Sequence, residues 1–295
     1  MRILLVGASG FIGRHVRGRA AGCEVVTLSR SRGVGEVCLD LAAATPKEVA
    51  GLISEVAPDA VVNCGGATGG EVADLASGNV VAVASLVAGL TFSPSPAPVR
   101  LVHLGSAAEY GQVPSGTPIT ESAAPRPVSP YGVTKLSGTE IVRAARLDAV
   151  VLRVFNPIGP GLPASTLAGR IAAALRGGEA EVRVGPLTAC RDFVDVRDVA
   201  DAILAAAGAR GPLPPVLNVG SGRATPLREL VARLAEHAGP GRRVVEDAAG
   251  GSARSAEVAW QQADIGAIRR ALGWTPTSDL ATSLRDLWED AACPA

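Results

Sequence analysis

Tyr131 and Lys135 stand four residues apart in Tyr131-Gly-Val-Thr-Lys135, directly after Ser129-Pro130 at the end of a proline-rich stretch. On a helix, residues at i and i+4 share one face. An ammonium beside a phenol lowers the phenol's pKa, so the pair can exchange a proton with a substrate hydroxyl near neutral pH. Lys135 gains weight from scarcity, because Lys47 and Lys135 are the only lysines among 28 basic residues. Ser106 follows an apolar run in His103-Leu-Gly-Ser106-Ala-Ala-Glu-Tyr110-Gly. At the carboxyl end of a strand its hydroxyl can hydrogen-bond the reacting oxygen beside the tyrosine. Standing alone, such a serine would more simply be a turn or cap.

A second chemical feature lies at the start of the chain. Gly7-Ala-Ser9-Gly10-Phe11-Ile12-Gly13 follows a short apolar run and precedes a helical pattern. Residues without a Cβ let backbone amides approach a pyrophosphate, and the helix N-terminus adds unpaired N–H groups and a favourable dipole. In that strand–turn–helix setting the glycines point to a dinucleotide rather than to a bare tight turn. The next apolar run ends Leu28-Ser29-Arg30-Ser31-Arg32. An acid at that place holds the ribose 2′-hydroxyl of NAD, whereas an arginine suits the 2′-phosphate of NADP. Ser29 occupies the acid position and Arg30 stands beside it, so NADP(H) is favoured and NAD(H) is the alternative. Arg14 is a candidate second phosphate contact. Asp40 and Leu41 are placed by the adenine ring, and Gly65, just past Ala60–Asn63, is assigned to the same cradle.

These residues need a frame. Arg2–Val6, Glu24–Leu28, Ala60–Asn63, Arg100–Leu104, Ala149–Phe155 and Val216–Val219 read as strands. Phe11–Ala20, Pro46–Val56, Leu75–Leu90, Tyr131–Arg146 and Ala200–Ala207 read as helices between or after them. Such alternation predicts an α/β fold: a doubly wound parallel (Rossmann) sheet covered by helices on both faces. Residues 1–157 plus about 193–221 are assigned to the dinucleotide-binding domain. Residues from about 158 to 192, plus 222–295, are assigned to a smaller substrate-binding lobe with helices at Leu227–Ala238 and Asp264–Leu272.

Composition excludes several classes. Of 295 residues, 47% are hydrophobic and 19% charged, enough for a sizeable core and unlike a disordered chain. The 28 basic and 28 acidic residues cancel, so no field points to nucleic acid or an anionic membrane. No run reads as long enough for a membrane span, and the short apolar start is no signal segment; a cytoplasmic location is expected. Five widely spaced cysteines and three scattered histidines, His15, His103 and His237, suggest neither a disulfide framework nor a metal site.

Taken together, the motifs resemble the extended short-chain dehydrogenase family of nucleotide-sugar epimerases, dehydratases and reductases. The resemblance runs through Gly7–Gly13, Ser106–Gly111, Ser129–Lys135, Leu152-Arg-Val-Phe-Asn156-Pro-Ile-Gly-Pro-Gly161, Arg191-Asp-Phe-Val-Asp-Val-Arg-Asp-Val199, Asn218–Gly222 and Leu272-Gly-Trp-Thr-Pro276. It implies that Ser106, Tyr131 and Lys135 are catalytic, with Tyr131 and Lys135 also touching the cofactor. It further implies that Asn156, Arg191 and Arg254 join Ser106 in binding the nucleotide-sugar substrate, holding its diphosphate, and that the protein is a homodimer through two helices per subunit.

Members differ in the chemistry that comes after hydride transfer. The 4,6-dehydratases carry Asp-Glu after the serine or threonine to handle water elimination; here Ala107 and Ala108 cannot. The epimerases resemble one another in an acid at the end of the second strand, where this chain has Ser29. Gly-Ser-x-x-Glu-Tyr-Gly is close to the pattern of GDP-4-keto-6-deoxymannose reductases. NADPH-dependent reduction of a nucleotide-linked 4-keto-6-deoxyhexose is therefore the first expectation. A 4-epimerase with tightly held NAD is the second. A cofactor-binding regulator is the third, and it would not need Ser106, Tyr131 and Lys135 together.

Overall fold

The computed structural model describes residues 1–31, 35–93, 98–247 and 258–290. Seven strands form one parallel sheet: β1 (Arg2–Val6), β2 (Glu24–Ser29), β3 (Val37–Cys38), β4 (Ala60–Asn63), β5 (Arg100–Ser106), β6 (Ala149–Val154) and β10 (Val216–Val219). Their order is β10-β6-β5-β4-β1-β2-β3. The chain builds outward from β1 through β2 and β3, then returns to β4 on the other side of β1. That reversal opens a crevice beyond the carboxyl ends of β1 and β4, the place where doubly wound sheets bind ligands. Val6 is level with both Leu28 and Asn63, so the three strands end together there.

The central strands are apolar on both faces, as a doubly covered parallel sheet requires. One core layer packs α1 (Phe11–Arg19) and α7 (Val196–Gly208) against Ile3, Leu5, Val62 and Leu152. The other packs α2 (Pro46–Val56), α4 (Ala82–Phe92) and α5 (Pro130–Ala144) against Leu4, Val61, Leu101 and Val151. Helix α2 starts on a capping box between Thr45 and Glu48, with Pro46 in the first turn.

The helix read at Leu75–Leu90 is longer and interrupted. Helix α3 (Val72–Ala76) passes through a π turn at Ser77–Val81 into α4, giving 21 helical residues, Val72–Phe92, with an 18-residue stretch of mean hydropathy 1.8. By length and composition this run could cross a bilayer, which corrects the expectation that none is long enough. Its Val83, Leu86, Val87 and Leu90 are nevertheless buried in the core. Gly89 lets α2 come close, since a Cβ there would stand 2.3 Å from Val49 Cγ1.

A third core belongs to the smaller elements: α6 (Leu167–Arg176), β8 (Glu181–Val184), α8 (Leu227–His237), β12 (Arg243–Glu246) and α10 (Leu280–Glu289). A three-stranded sheet of β7 (Asn156–Ile158), β9 (Cys190–Asp195) and β11 (Ala224–Pro226) lies alongside. Helix α9 (Gly266–Leu272), read from sequence as part of the smaller lobe, packs elsewhere: Ile268 and Trp274 are buried in the core of the large sheet.

Candidate active site

The glycine turn has the close approaches its spacing predicts. Gly7 is left-handed at φ +75°, and a Cβ there would stand 2.8 Å from Gly65 N across the crevice. At Gly13 a Cβ would fall 2.1 Å from the Gly7 carbonyl oxygen. Gly10 begins α1 without a side-chain cap, and no acidic residue sits in the first turn. The N–H groups there, around Phe11 and Ile12, therefore suit an anion. Asn63 Oδ1 accepts the Gly65 N–H at 3.0 Å and shapes the opposite wall. This cradle fits a dinucleotide pyrophosphate.

At the end of β2 the Ser29 hydroxyl donates to the Ser31 carbonyl at 2.6 Å, and Arg30 is exposed with no ion-pair partner among the described residues. Asp40 closes a turn by accepting the Ala42 N–H at 3.0 Å, while Leu41 is buried. Arg14 points the other way. Its guanidinium donates to the Gly161 carbonyl and lies 5.6 Å from the Phe11 ring centroid. Beside it, His15 Nε2 meets the Pro160 carbonyl at 3.0 Å, and burial holds the imidazole below the usual histidine range. The expectation of Arg14 as a second 2′-phosphate contact is thus corrected: α1 uses it to hold the loop after β7.

Two packing choices bring the start of α5, which carries Tyr131 and Lys135, against the end of β5, which carries Ser106. Ser106 ends β5 and caps a single 3₁₀ turn, Ala107–Glu109, its Oγ accepting the Ala108 N–H at 3.2 Å. The hydroxyl proton remains for an oxygen in the cleft. Ser129 and Pro130 start α5, with the Ser129 hydroxyl accepting the Gly132 N–H at 3.2 Å. Gly132 then sits against that 3₁₀ turn, where a Cβ would stand 2.6 Å from the Ala108 carbonyl oxygen. The first turn of α5, carrying Tyr131, therefore rests on the backbone that carries Ser106. One turn on, the buried Lys135 donates from Nζ to the Leu104 carbonyl of β5. Burial draws its pKa below the ordinary lysine value, with the Glu109 carboxylate pulling it back. Burial also pushes the Cys64 thiol up to about 12, so it stays protonated.

On the substrate side the arrangement departs from expectation. Asn156 donates its amide to the Asp192 carbonyl at 2.9 Å and to Gln261 Oε1 at 3.2 Å, so its donors brace β7 against β9 rather than face a diphosphate. Arg191 is buried on β9, with Nη1 donating to the Cys190 carbonyl at 2.8 Å. Arg254 lies outside the described residues. The carboxylates around Arg191 tie segments together. Asp192 accepts from Ser221 N, Gly222 N and Ala263 N, Asp195 from Arg197 and the Ser283 hydroxyl, and Asp198 from Thr277 and Ser278. They join α7 of the large sheet to the lobe.

Three groups at the site were not singled out from sequence. Buried Asn79, in the π turn, accepts from Ala67 N at 3.0 Å and donates to Thr134 Oγ1 at 3.1 Å, so it ties the loop after β4 to α5. A polar residue inside an apolar helical run was the available signal, and π turns recur at functional sites. Buried Glu109 and Arg153 pair at 2.7 Å, and Arg153 lies 4.6 Å from the Tyr110 ring centroid. Tyr110 donates to Asn218 Oδ1 at 2.7 Å, so both motif residues serve structure.

The comparisons agree with this geometry. The model of the NAD dependent epimerase/dehydratase family matches residues 3–220. A dTDP-6-deoxy-L-talose 4-dehydrogenase (NAD(P)(+)) from Kitasatospora kifunensis is 40% identical, covering 97% of this chain and 94% of its own. A GDP-6-deoxy-D-mannose reductase from Pseudomonas aeruginosa is 33% identical over 64% of each chain. The solved structure of MoeE5 in complex with UDP-glucose and NAD superposes with a TM-score of 0.84 at 29% identity, covering 98% of both chains. Sheet order, glycine cradle and the Ser106–Tyr131–Lys135 cluster meet in a chain matched along its length, and the protein is an NAD(P)-dependent enzyme of the NAD-dependent epimerase/dehydratase family.

Proposed function

We propose that the protein catalyses reversible oxidoreduction at C4 of a dTDP-linked 6-deoxyhexose, reducing the 4-keto form with NADPH. The observation that carries this reading is the turn at Ser106. It presents one hydroxyl and is followed by Ala107 and Ala108, so the site can serve one oxygen but has no acid or base there for eliminating water. The near full-length similarity to a dTDP-sugar 4-dehydrogenase supports the same chemistry and suggests the nucleotide.

A bound nicotinamide supplies the hydride, or takes it up in the reverse direction. The N-terminus of α1 and the Gly7–Gly65 crevice hold its pyrophosphate. Arg30, beside an acid-free strand end, favours the 2′-phosphate, and this supports NADP(H) over NAD(H). Tyr131 gives its phenolic proton to the C4 oxygen as the carbonyl is reduced. Ser106 donates its hydroxyl proton in a hydrogen bond to that oxygen and orients it. Lys135, fixed to the Leu104 carbonyl, keeps its positive charge one helical turn from Tyr131 and eases loss of the phenolic proton. Arg191, on β9, is assigned to the diphosphate of the sugar nucleotide.

A homodimer through α3, α4 and α5 is part of the same reading. Val72 on α3, Val81 in the π turn before α4 and Val133 on α5 are 58%, 45% and 49% exposed, an apolar surface a second copy would cover.

The test is oxidation of dTDP-6-deoxy-L-talose by the purified protein with NADP⁺ and with NAD⁺, after assay for carried-over cofactor. Turnover with exchangeable NADP⁺ is expected. Non-exchanging NAD, with interconversion of C4 epimers and no net redox change, would replace this reading by an epimerase.

A further inference from the structure

The strand end that presents Ser106 is built around a carboxylate that the hydride and proton transfers do not themselves require. Glu109 and Arg153 are 0% and 2% exposed. Glu109 Oε1 accepts the Ser106 backbone N–H at 2.8 Å and the buried Thr139 hydroxyl at 3.0 Å, and Oε2 accepts Arg153 Nε at 2.7 Å. All three donors come from different elements: β5, α5 and β6. Room for the carboxylate is provided by Gly105. A Cβ there would stand 2.7 Å from Glu109 Oε1 and 3.1 Å from Arg153 Cγ, so a glycine at 105 and a glutamate at 109 form a matched pair.

The charges around this carboxylate do not balance without it. Arg153 faces it from β6, and on α5 Lys135 stands one turn before Thr139, which bonds Glu109, with its Nζ on the Leu104 carbonyl two residues before Ser106. Tyr110 follows it in the chain, and Glu121 faces Tyr110 from the loop before α5. Cys64 and His103, beyond β4 and on β5, face Lys135. The thiol stays protonated, and burial keeps His103 neutral. The buried cluster around Lys135 thus holds two cations, Lys135 and Arg153, against Glu109. Tyr131 stands one turn before Lys135 on α5.

We propose that Glu109 is a positioning residue of this site: it pins the turn that presents Ser106 and supplies the counter-charge that keeps the buried Lys135 protonated. The proposal rests on Ser106, Tyr131 and Lys135 being the reacting groups. Glu109 acts through them and touches neither reactant. Two carboxylate oxygens serve two purposes: Oε1 fixes geometry, and the charge answers the cations. Glutamine keeps the shape and an acceptor for Ser106 N–H but removes the charge, so Glu109→Gln separates the two.

The experiment is the pH profile of kcat/KM for oxidation of dTDP-6-deoxy-L-talose with NADP⁺, for the wild type, Glu109→Gln and Tyr131→Phe. In the oxidation direction activity is expected to rise with pH as Tyr131, one turn from Lys135, gives up its proton. Removing a nearby anion makes that proton easier to lose, so in Glu109→Gln the rising limb moves toward acid by about one pH unit or more. A glutamate that only filled space would lower the plateau and leave the limb in place; an unmoved limb overturns the proposal. Should Glu109→Gln fail to fold because Arg153 is left without its partner, Glu109→Gln/Arg153→Met removes both buried charges and is measured instead. Arg153 faces Glu109 rather than Lys135, so the same acid shift is expected. Tyr131→Phe separates the two levels. Its inactivity beside an unmoved Glu109→Gln limb sinks only the role of Glu109, whereas full activity removes the assignment of the reacting groups and this proposal with it.

Discussion

Gly13→Ala tests the cofactor cradle most directly, because its clash can be read from the backbone. The new methyl would sit 2.1 Å from the Gly7 carbonyl oxygen, 2.8 Å from the Gly7 carbonyl carbon and 2.9 Å from Ala8 Cα. None of these atoms can rotate away. Ordinary contact begins at 3.4 Å, so the first turn of α1 and the Gly7 loop must separate by about 1.3 Å, the difference between 3.4 and 2.1 Å. The amides that face the pyrophosphate move with them, and hydrogen bonds of normal length are lost at that displacement. Each N–H bond to a charged oxygen contributes about 1.5–3 kcal/mol, so losing two costs about 3 kcal/mol or more. That corresponds to a roughly hundredfold rise in Kd. The gain in helix propensity from glycine to alanine, about 1 kcal/mol, offsets only part of the accompanying overpacking. The assay is a fluorescence titration with NADPH, on protein shown by circular dichroism to be folded. A Kd within about threefold of wild type would refute the placement of the pyrophosphate on α1.

Tyr131→Phe should cut turnover by about a thousandfold, a general acid–base contribution, while NADPH affinity stays nearly unchanged; steady-state kinetics and the same titration check both. Arg30→Ala should weaken NADPH by about tenfold and NADH much less; equal losses would show that Arg30 does not read the 2′-phosphate. Stability should fall on mild acidification through His103. Its folded pKa is held well below 6.5 by burial and then by Lys135, so below about pH 6.5 the unfolded chain takes up a proton that the folded protein refuses. The contribution is complete above that pH and is lost by up to about 1.4 kcal/mol for each unit below it. Urea midpoints at pH 7 and 5.5 should therefore lie closer together in His103→Gln than in the wild type; an equal fall in both proteins would locate the effect elsewhere.

Much of this protein was determined by short-range patterns. The glycine turn, the start of α5 at Ser129-Pro130 and the four-residue step from Tyr131 to Lys135 depend on neighbours within about one helical turn, and apolar runs mark each central strand. Local steric and periodic rules act on just those distances, so they were legible in the chain itself. What tertiary structure alone decided involves partners far apart in sequence. Arg14 looked like a phosphate ligand but holds Gly161, 147 residues away. Asn156 spends its donors on Asp192 and Gln261. Helix α9 joins the large core rather than the lobe because Ile268 and Trp274 find buried apolar neighbours there. Glu109, a lone acid in an alanine-rich turn, acquires its meaning only when Arg153, Thr139 and Lys135 close around it. A side chain's type states what it can bond to; which bond it makes is set by burial, where an unpaired charge or polar group costs too much to leave alone.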